Sequence, residues 1–179
     1  MSTQTETRSL ADLEYLPYLD GDGSIDEAMQ GKIGVYSIFD GDRQMQYVGY
    51  SRDVYLSLKQ HLIRQPQSCY WYKVQTITRP SRKILDEIST AWIAENGTTP
   101  VGNDADKSLW TEPIDANPAM TEEEKAQYQQ SEEVKQIKIR KKVARRVEAQ
   151  ILEQLSDRGA KIDFRFNPKL KEKGLLDLK

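Results

Sequence analysis

The 179 residues suffice for one ordinary domain with an appended element, and an apolar share of 37% against 30% charged residues, with a mean hydropathy of -0.73, leaves part of the chain solvated rather than packed. No stretch reaches the ~20 apolar residues of a membrane-spanning helix, and Met1 to Arg8 lacks the basic-then-apolar order of a secretory signal. Cys69 is the one cysteine and His61 the one histidine, so an intrachain disulfide is excluded, a zinc site from His and Cys of one chain lacks ligands, and a reducing compartment is expected.

Residues 1–30 read as a lead-in. Leu10, Leu13, Leu16 and Leu19 suggest a turn or two of helix before Pro17. The run Asp20-Gly21-Asp22-Gly23 has the look of a calcium loop, but placing Gly23 at its sixth position puts Tyr18 first and Met29 twelfth, where oxygen ligands are needed; it is a plain turn. Residues 31–103 are the expected compact domain. Ile33 to Phe39 and Met45 to Tyr50 are short apolar runs joined by Asp40-Gly41-Asp42, a hairpin pattern. Ser51 or Asp53 can cap a helix with Val54, Leu58 and Leu62 on one face, stopped by Pro66. Tyr70 to Ile77 reads as a third strand. Ser81 opens a second helix carrying Ile84, Leu85, Ile88, Ala91 and Trp92, and Asn96-Gly97 ends it. The order β-β-α-β-α predicts an α+β fold, a small antiparallel sheet with flanking helices.

Residues 104–120 read as an acidic linker punctuated by proline, and 121–179 as a basic, amphipathic helix followed by a short strand and tail. Thr121 with Glu124 is a capping-box pattern and Gly159 a stop, which predicts one helix of roughly 38 residues, about 57 Å long. Its second half carries an apolar stripe at Ile137, Ile139, Val143, Val147, Ile151, Leu152 and Leu155. Lys161 to Phe166 alternates like a strand, and Leu175, Leu176 and Leu178 can dock on the core. The net charge of -2 hides an asymmetry: acids dominate from Asp104 to Glu133, and then Lys135, Lys138, Arg140, Lys141, Lys142, Arg145 and Arg146 follow with no acid among them. Such a run is often a solvated helix face. Here it makes a positive stripe suited to DNA or RNA phosphates, to an acidic protein, or to the chain's own acidic segment.

Gly34-Val35-Tyr36 on the first strand and Tyr47-Val48-Gly49 on the second resemble the paired triplets that name the GIY-YIG nuclease superfamily. Ser51, Leu58 and His61 match positions downstream, and Trp92-Ile93 with Pro100 and Asn103 is similar to that family's closing segment. The phrase Gly31 to Tyr36, with Trp92-Ile93 and Pro100 to Asn103, is similar to the domain preceding plastid monothiol glutaredoxins and to stand-alone cyanobacterial proteins of this type. The Cys-Gly-Phe-Ser motif of a glutaredoxin does not occur in this chain.

The resemblance implies a divalent-metal-dependent endonuclease in which Tyr36, Tyr47 and His61 orient or deprotonate water, an arginine on the first helix stabilises the transition-state charge, and a glutamate on the second holds Mg²⁺ or Mn²⁺. Counting eight from Gly49, the arginine position is Ser57; counting four back from Ile93, the glutamate position is Ser89. Arg52 and Asp86 are the neighbours able to substitute, the one as a cation for the cleft and the other as a metal ligand, and Asn103 belongs to the binding surface. Taken without the resemblance, Tyr36 and Tyr47 are ordinary half-buried strand residues, His61 a helix residue with a satisfied hydrogen bond, and Cys69 a packed small hydrophobe. The expectation is a degenerate nuclease module that binds nucleic acid or scaffolds, with no cofactor. The alternatives are an active endonuclease with displaced groups and an adaptor that docks a protein through the C-terminal helix. The compartment expected is a bacterial cytoplasm of cyanobacterial type or a stroma-like one.

Overall fold

The computed structural model describes residues 6–179, and the chain divides into the units Met1–Thr111 and Glu112–Lys179. In the first, Leu16–Pro17 (β1), Ile33–Phe39 (β2), Met45–Ser51 (β3) and Trp71–Ile77 (β4) form an antiparallel sheet in the order β1-β4-β2-β3. The predicted hairpin forms around Asp40, whose Oδ1 accepts from the backbone N–H of Asp42 and of Gln44, both at 2.9 Å.

Register assigns the side chains to two faces. Tyr36 lies opposite Gly49 and Ile38 opposite Tyr47, so both tyrosines share one face; Val35 opposite Tyr50 and Ser37 opposite Val48 share the other. The helix Val54–Arg64 (α1) starts at Asp53, which accepts from Leu56 N–H, and covers the tyrosine face with Val54, Leu58 and Leu62 buried. The helix Arg82–Asn96 (α2) is capped by Ser81 and ended by Gly97 at φ 87; its Leu85, Ile88 and Trp92 pack with Val35, Val48 and Ile77 on the opposite face.

The lead-in differs from expectation. Leu10–Asp12 makes a single 3-10 turn, and Leu16–Pro17 joins the sheet as its fourth strand instead of continuing a helix. Pro17, which has no N–H, is tolerated there because β1 is an edge strand. Leu10 and Leu13 enter the core on the α2 face, and the buried Tyr18 donates its hydroxyl to Leu58 O. Asp20 accepts from Asp22 and Ser24 N–H, the plain turn the sequence predicts. The stretch 104–120 contains Lys107–Thr111 (α3), with Trp110 buried, and Ile114–Asp115 (β5); the boundary between the units falls within it.

In the second unit the predicted single helix is instead two, Glu122–Gln130 (α4) and Glu133–Asp157 (α5). Ser131, in extended conformation, donates its hydroxyl back to Gln127 O at 2.5 Å, which stabilises the break. In an unbroken helix Glu124 and Arg146 would stand about 33 Å apart; they are ion-paired at 2.6 Å. The Thr121–Glu124 capping box is formed as expected. Lys161 to Phe166 is not a strand: it contributes one bridge, Phe166 to Leu178, because no neighbour offers it a ladder. After Pro168–Lys171 (α6), the tail strand Leu175–Leu176 (β6) pairs with β5 inside this unit, not with the sheet of the first. The apolar face of α5, Val143, Ala144, Ile151 and Leu155, is buried in a unit where α5 meets the Asn117–Ala119 turn, α6 and β6. Among the described residues no helix is long and apolar enough to cross a membrane.

Candidate functional site

The two tyrosines and the histidine meet on the α1 face. Tyr36 reaches from the middle of β2 to hydrogen-bond its hydroxyl with His61 Nε2 at 2.8 Å, and the Tyr47 ring centroid lies 4.7 Å from that of His61 and 6.2 Å from that of Tyr36. Gly49 makes this convergence possible: a Cβ there would stand 2.5 Å from the Tyr47 ring and 2.9 Å from both tyrosine hydroxyls. Asn103 is hydrogen-bonded to the backbone of β3. Its side chain accepts from Val48 N–H at 2.8 Å and donates to Val48 O at 2.7 Å, completing the outer edge of β3 as another strand would.

Two residues that sequence spacing does not single out decide the character of the site. Trp110 of α3 lies flat on Tyr47, 5.5 Å between centroids and 4° between planes, and 5.7 Å from His61. It is 1% exposed, and Tyr36 is 3% and His61 4% exposed. Gly102 permits the approach, since a Cβ there would stand 2.8 Å from the Trp110 ring and 2.5 Å from Gln46 O. Arg64 donates to Trp110 O at 3.1 Å and fastens α3 to α1. Arg64 was legible in one respect: Ser57, His61 and Arg64 are spaced i, i+4, i+7 and share a helix face. For Trp110, far from the motifs in sequence, no signal existed.

The electrostatics are those of a closed, neutral pair. Burial, then the Arg64 charge, lower the His61 pKa from 6.5 to about 3, opposed weakly by hydrogen bonding to the Trp110 backbone. Burial and then Tyr47 raise the Tyr36 pKa far above its ordinary value, opposed by Ser57 and Arg64. Burial raises that of Tyr47 as well, with Arg64 opposing. At neutral pH the cluster therefore holds neither an imidazolium nor a phenolate.

Of the remaining predicted positions, Ser57 is half-buried beside Tyr36 and donates to Ser51 Oγ at 2.7 Å. Ser89 is half-buried and Asp86 exposed, both on α2, the helix packed on the sheet face opposite the tyrosines. Arg52 is exposed and, with Tyr50, Ser81, Arg82 and Leu85, lines an open cavity of about 320 Å³. Among the described residues no three His, Cys, Asp or Glu side chains converge. That donor set does not fit a divalent cation at the tyrosine cluster.

The basic run is divided by the fold. Arg146 is held by Glu124 through both nitrogens, at 2.6 and 3.1 Å, and by Ala119 O; Arg140 hydrogen-bonds the Tyr128 hydroxyl with its guanidinium 5.0 Å from that ring; Lys141 pairs with Glu172 at 3.6 Å. Arg146 and Arg140 are thus structural, as the self-pairing reading allowed. Lys135, Lys138, Lys142 and Arg145 are exposed and make no ion pair among the described residues. Their spacing, three, four and three residues, puts them on one side of α5.

The fold and site define an α+β protein with a small four-stranded antiparallel sheet, flanking helices, and a sealed tyrosine–histidine pair on one sheet face. No protein-family model matches the chain. Over 100 residues it is 34% identical to the chloroplastic bifunctional monothiol glutaredoxin-S16 of Arabidopsis thaliana, covering 54% of this chain and 32% of that protein. The chain thus spans about a third of the length of that relative.

Proposed function

We propose that residues 31–103, closed by α3, are a GIY-YIG-type nuclease-like module whose catalytic site is idle, and that the protein binds nucleic acid through α5. The observation that carries the first half is the burial of the Tyr36–His61 pair, with Trp110 stacked on Tyr47 and packed against His61. A water to be activated must reach within about 3 Å of its base, and here His61 is 4% exposed with the Trp110 ring 5.7 Å from it. Serine at the arginine and glutamate positions of the resemblance, and the lack of a convergent acid set, support the same reading. The paired triplets and the likeness to a plastid protein support the module and a reducing, stroma-like or cyanobacterial-type compartment.

The second half rests on which face of α5 is left over. Val143, Ala144, Ile151 and Leu155 are buried inside the second unit, Val134 and Leu152 stay exposed, and Lys135, Lys138, Lys142 and Arg145 form the continuous exposed row. This favours phosphates over an apolar protein groove. The test is a pair of assays on the full chain. Supercoiled plasmid and branched DNA incubated with Mg²⁺ or Mn²⁺ should remain uncut, and duplex DNA or RNA should bind with strong salt dependence. Metal-dependent cutting that Asp86→Ala or Arg52→Ala abolishes would establish displaced catalytic groups instead. Binding that ignores salt would leave the protein-adaptor reading.

A further inference from the structure

The sheet face opposite the tyrosine–histidine pair carries a second constellation. Lys73 of β4 stands in register with Ser37 and so points to the α2 side. It is 6% exposed, in the middle of a sheet where apolar side chains are the rule. Its Nζ donates to Leu10 O at 2.6 Å and lies 4.1 Å from the Tyr15 ring centroid. An ammonium has three donors, so this carbonyl leaves others to be satisfied. Arg43 joins it from the hairpin. Its guanidinium lies between two rings, 4.6 Å from the Tyr15 centroid and 4.8 Å from that of Trp71. Its backbone is in the left-handed region at φ 61, where it closes the hairpin turn with its N–H donating to Asp40 O at 3.0 Å.

Neither cation makes an ion pair among the described residues. The acid close by, Glu95 of α2, acts on Lys73 through its charge without an ion pair to it, and its two oxygens accept from Ser9 Oγ at 2.5 Å and from Ala11 N–H at 3.2 Å, tying down the Leu10–Asp12 turn. Between these parts is an open cavity of about 500 Å³, walled by Tyr15, Phe39, Met45 and Leu10, with Lys73, Arg43 and, at the α2 side, Glu95 also on its lining. That volume is in the range of small-ligand sites. A buried ammonium held only by a carbonyl and ring faces is costly, and an anion that it receives offsets part of that cost.

We infer that this cavity binds a small organic anion, its carboxylate or phosphate received by Lys73 and Arg43 and its apolar or aromatic body lying against Tyr15, Phe39 and Met45. The site is independent of the reading proposed for the α1 face and of the α5 stripe. It is tested on the full chain by calorimetric titration with benzoate, phenyl phosphate, the neutral benzamide, and inorganic phosphate. Benzoate or phenyl phosphate should bind with a dissociation constant near or below about 1 mM, the tighter of the two naming the headgroup. Benzamide, lacking charge, and inorganic phosphate, lacking a body, should each bind at least ~10-fold more weakly. Lys73→Met, which keeps the bulk, and Arg43→Gln, at the rim, should each weaken the anion by ~10-fold or more. Equal binding of benzamide and benzoate, binding unchanged in Arg43→Gln, or no heat with any probe would overturn the assignment. The charged-against-neutral contrast in the unaltered chain decides the matter even if Lys73→Met does not fold.

Discussion

At the scale of residues, the site is a packing problem solved by a glycine and a protonation problem solved by burial. Gly49 leaves room for two tyrosine hydroxyls, so Gly49→Ala should push Tyr36 or Tyr47 off the histidine and lower the stability of the first unit by about 2 kcal/mol or more. Gly21→Ala, where a Cβ meets nothing within 4 Å, should change stability by less than about 0.5 kcal/mol. Urea unfolding followed by tryptophan fluorescence measures both, and equal effects would show that the hydroxyls are not confined as described. His61 makes a pH prediction whose sign follows from its depressed folded value, about 3 against 6.5. Between these values the unfolded chain binds a proton that the folded chain does not, so stability falls as pH drops below about 6.5 and is indifferent to His61 above it. At pH 5 the loss should be about 2 kcal/mol. His61→Gln should flatten that slope between pH 7 and 5, and a variant as acid-sensitive as the parent would contradict the buried neutral imidazole.

At the scale of elements, the fold spends the basic residues of one helix in two different ways. Arg146 and Glu124 clasp α5 to α4, and the Glu124 carboxyl is held down to about 2, chiefly by the Arg146 hydrogen bond. Since that value is depressed below 4.5, the contribution is complete above about pH 4.5 and is lost as pH falls toward 2. Glu124→Gln should therefore lower the stability of the second unit by about 1 kcal/mol at pH 7 and remove its acid dependence in that window, read by far-ultraviolet circular dichroism. The other use is the exposed row Lys135, Lys138, Lys142 and Arg145. If these residues meet duplex phosphates, log K should fall with log[salt] at a slope of about -3.6. The whole basic run counted from sequence would give about -6. Reversing Lys138, Lys142 and Arg145 to glutamate should abolish most binding while leaving helix content unchanged. A slope near zero, or binding that survives the reversal, would remove nucleic acid as the partner of this face.

At the scale of the whole molecule, the two units separate the proposed activities. Glu112–Lys179 carries the exposed basic row, and Met1–Thr111 carries both the sealed pair and the lysine cavity. Salt-dependent binding should consequently persist when the Tyr36–His61 pair is destroyed by Tyr36→Phe with His61→Gln. The loss of all nucleic-acid binding in that variant, with folding intact, would place the interface on the sheet instead. The same separation bears on any attempt to restore cleavage. Ser57→Arg with Ser89→Glu returns the two charges of the resemblance, but Ser57 adjoins Tyr36 while Ser89 sits on the helix of the opposite face. Nicking activity should not appear on supercoiled plasmid unless Trp110 is also removed, and cutting by the double variant alone would show that the indole is no barrier.

Sequence by itself determined the three strands and two helices of residues 31–103. Alternating apolar residues, Asp40 in the turn, Asp53 and Ser81 as caps and Gly97 as a stop act over a few residues, and local patterns report local forces. The convergence of Tyr36, Tyr47 and His61 was legible only through the resemblance of the paired triplets, and two paired strands with the next helix bring the three together. The break at Ser131 was hidden, because capping and helix periodicity both favour continuing, and what reverses the chain is the distant Glu124–Arg146 pair. The edge position of Leu16–Pro17 was hidden too, being fixed by a partner more than fifty residues away. Tertiary structure alone placed Trp110 against the histidine, put Ser89 on the other side of the sheet, and gathered Lys73, Arg43 and Tyr15 around one cavity. Each of these depends on which surfaces meet when separate elements bury their apolar faces together, and no pattern within one element records that.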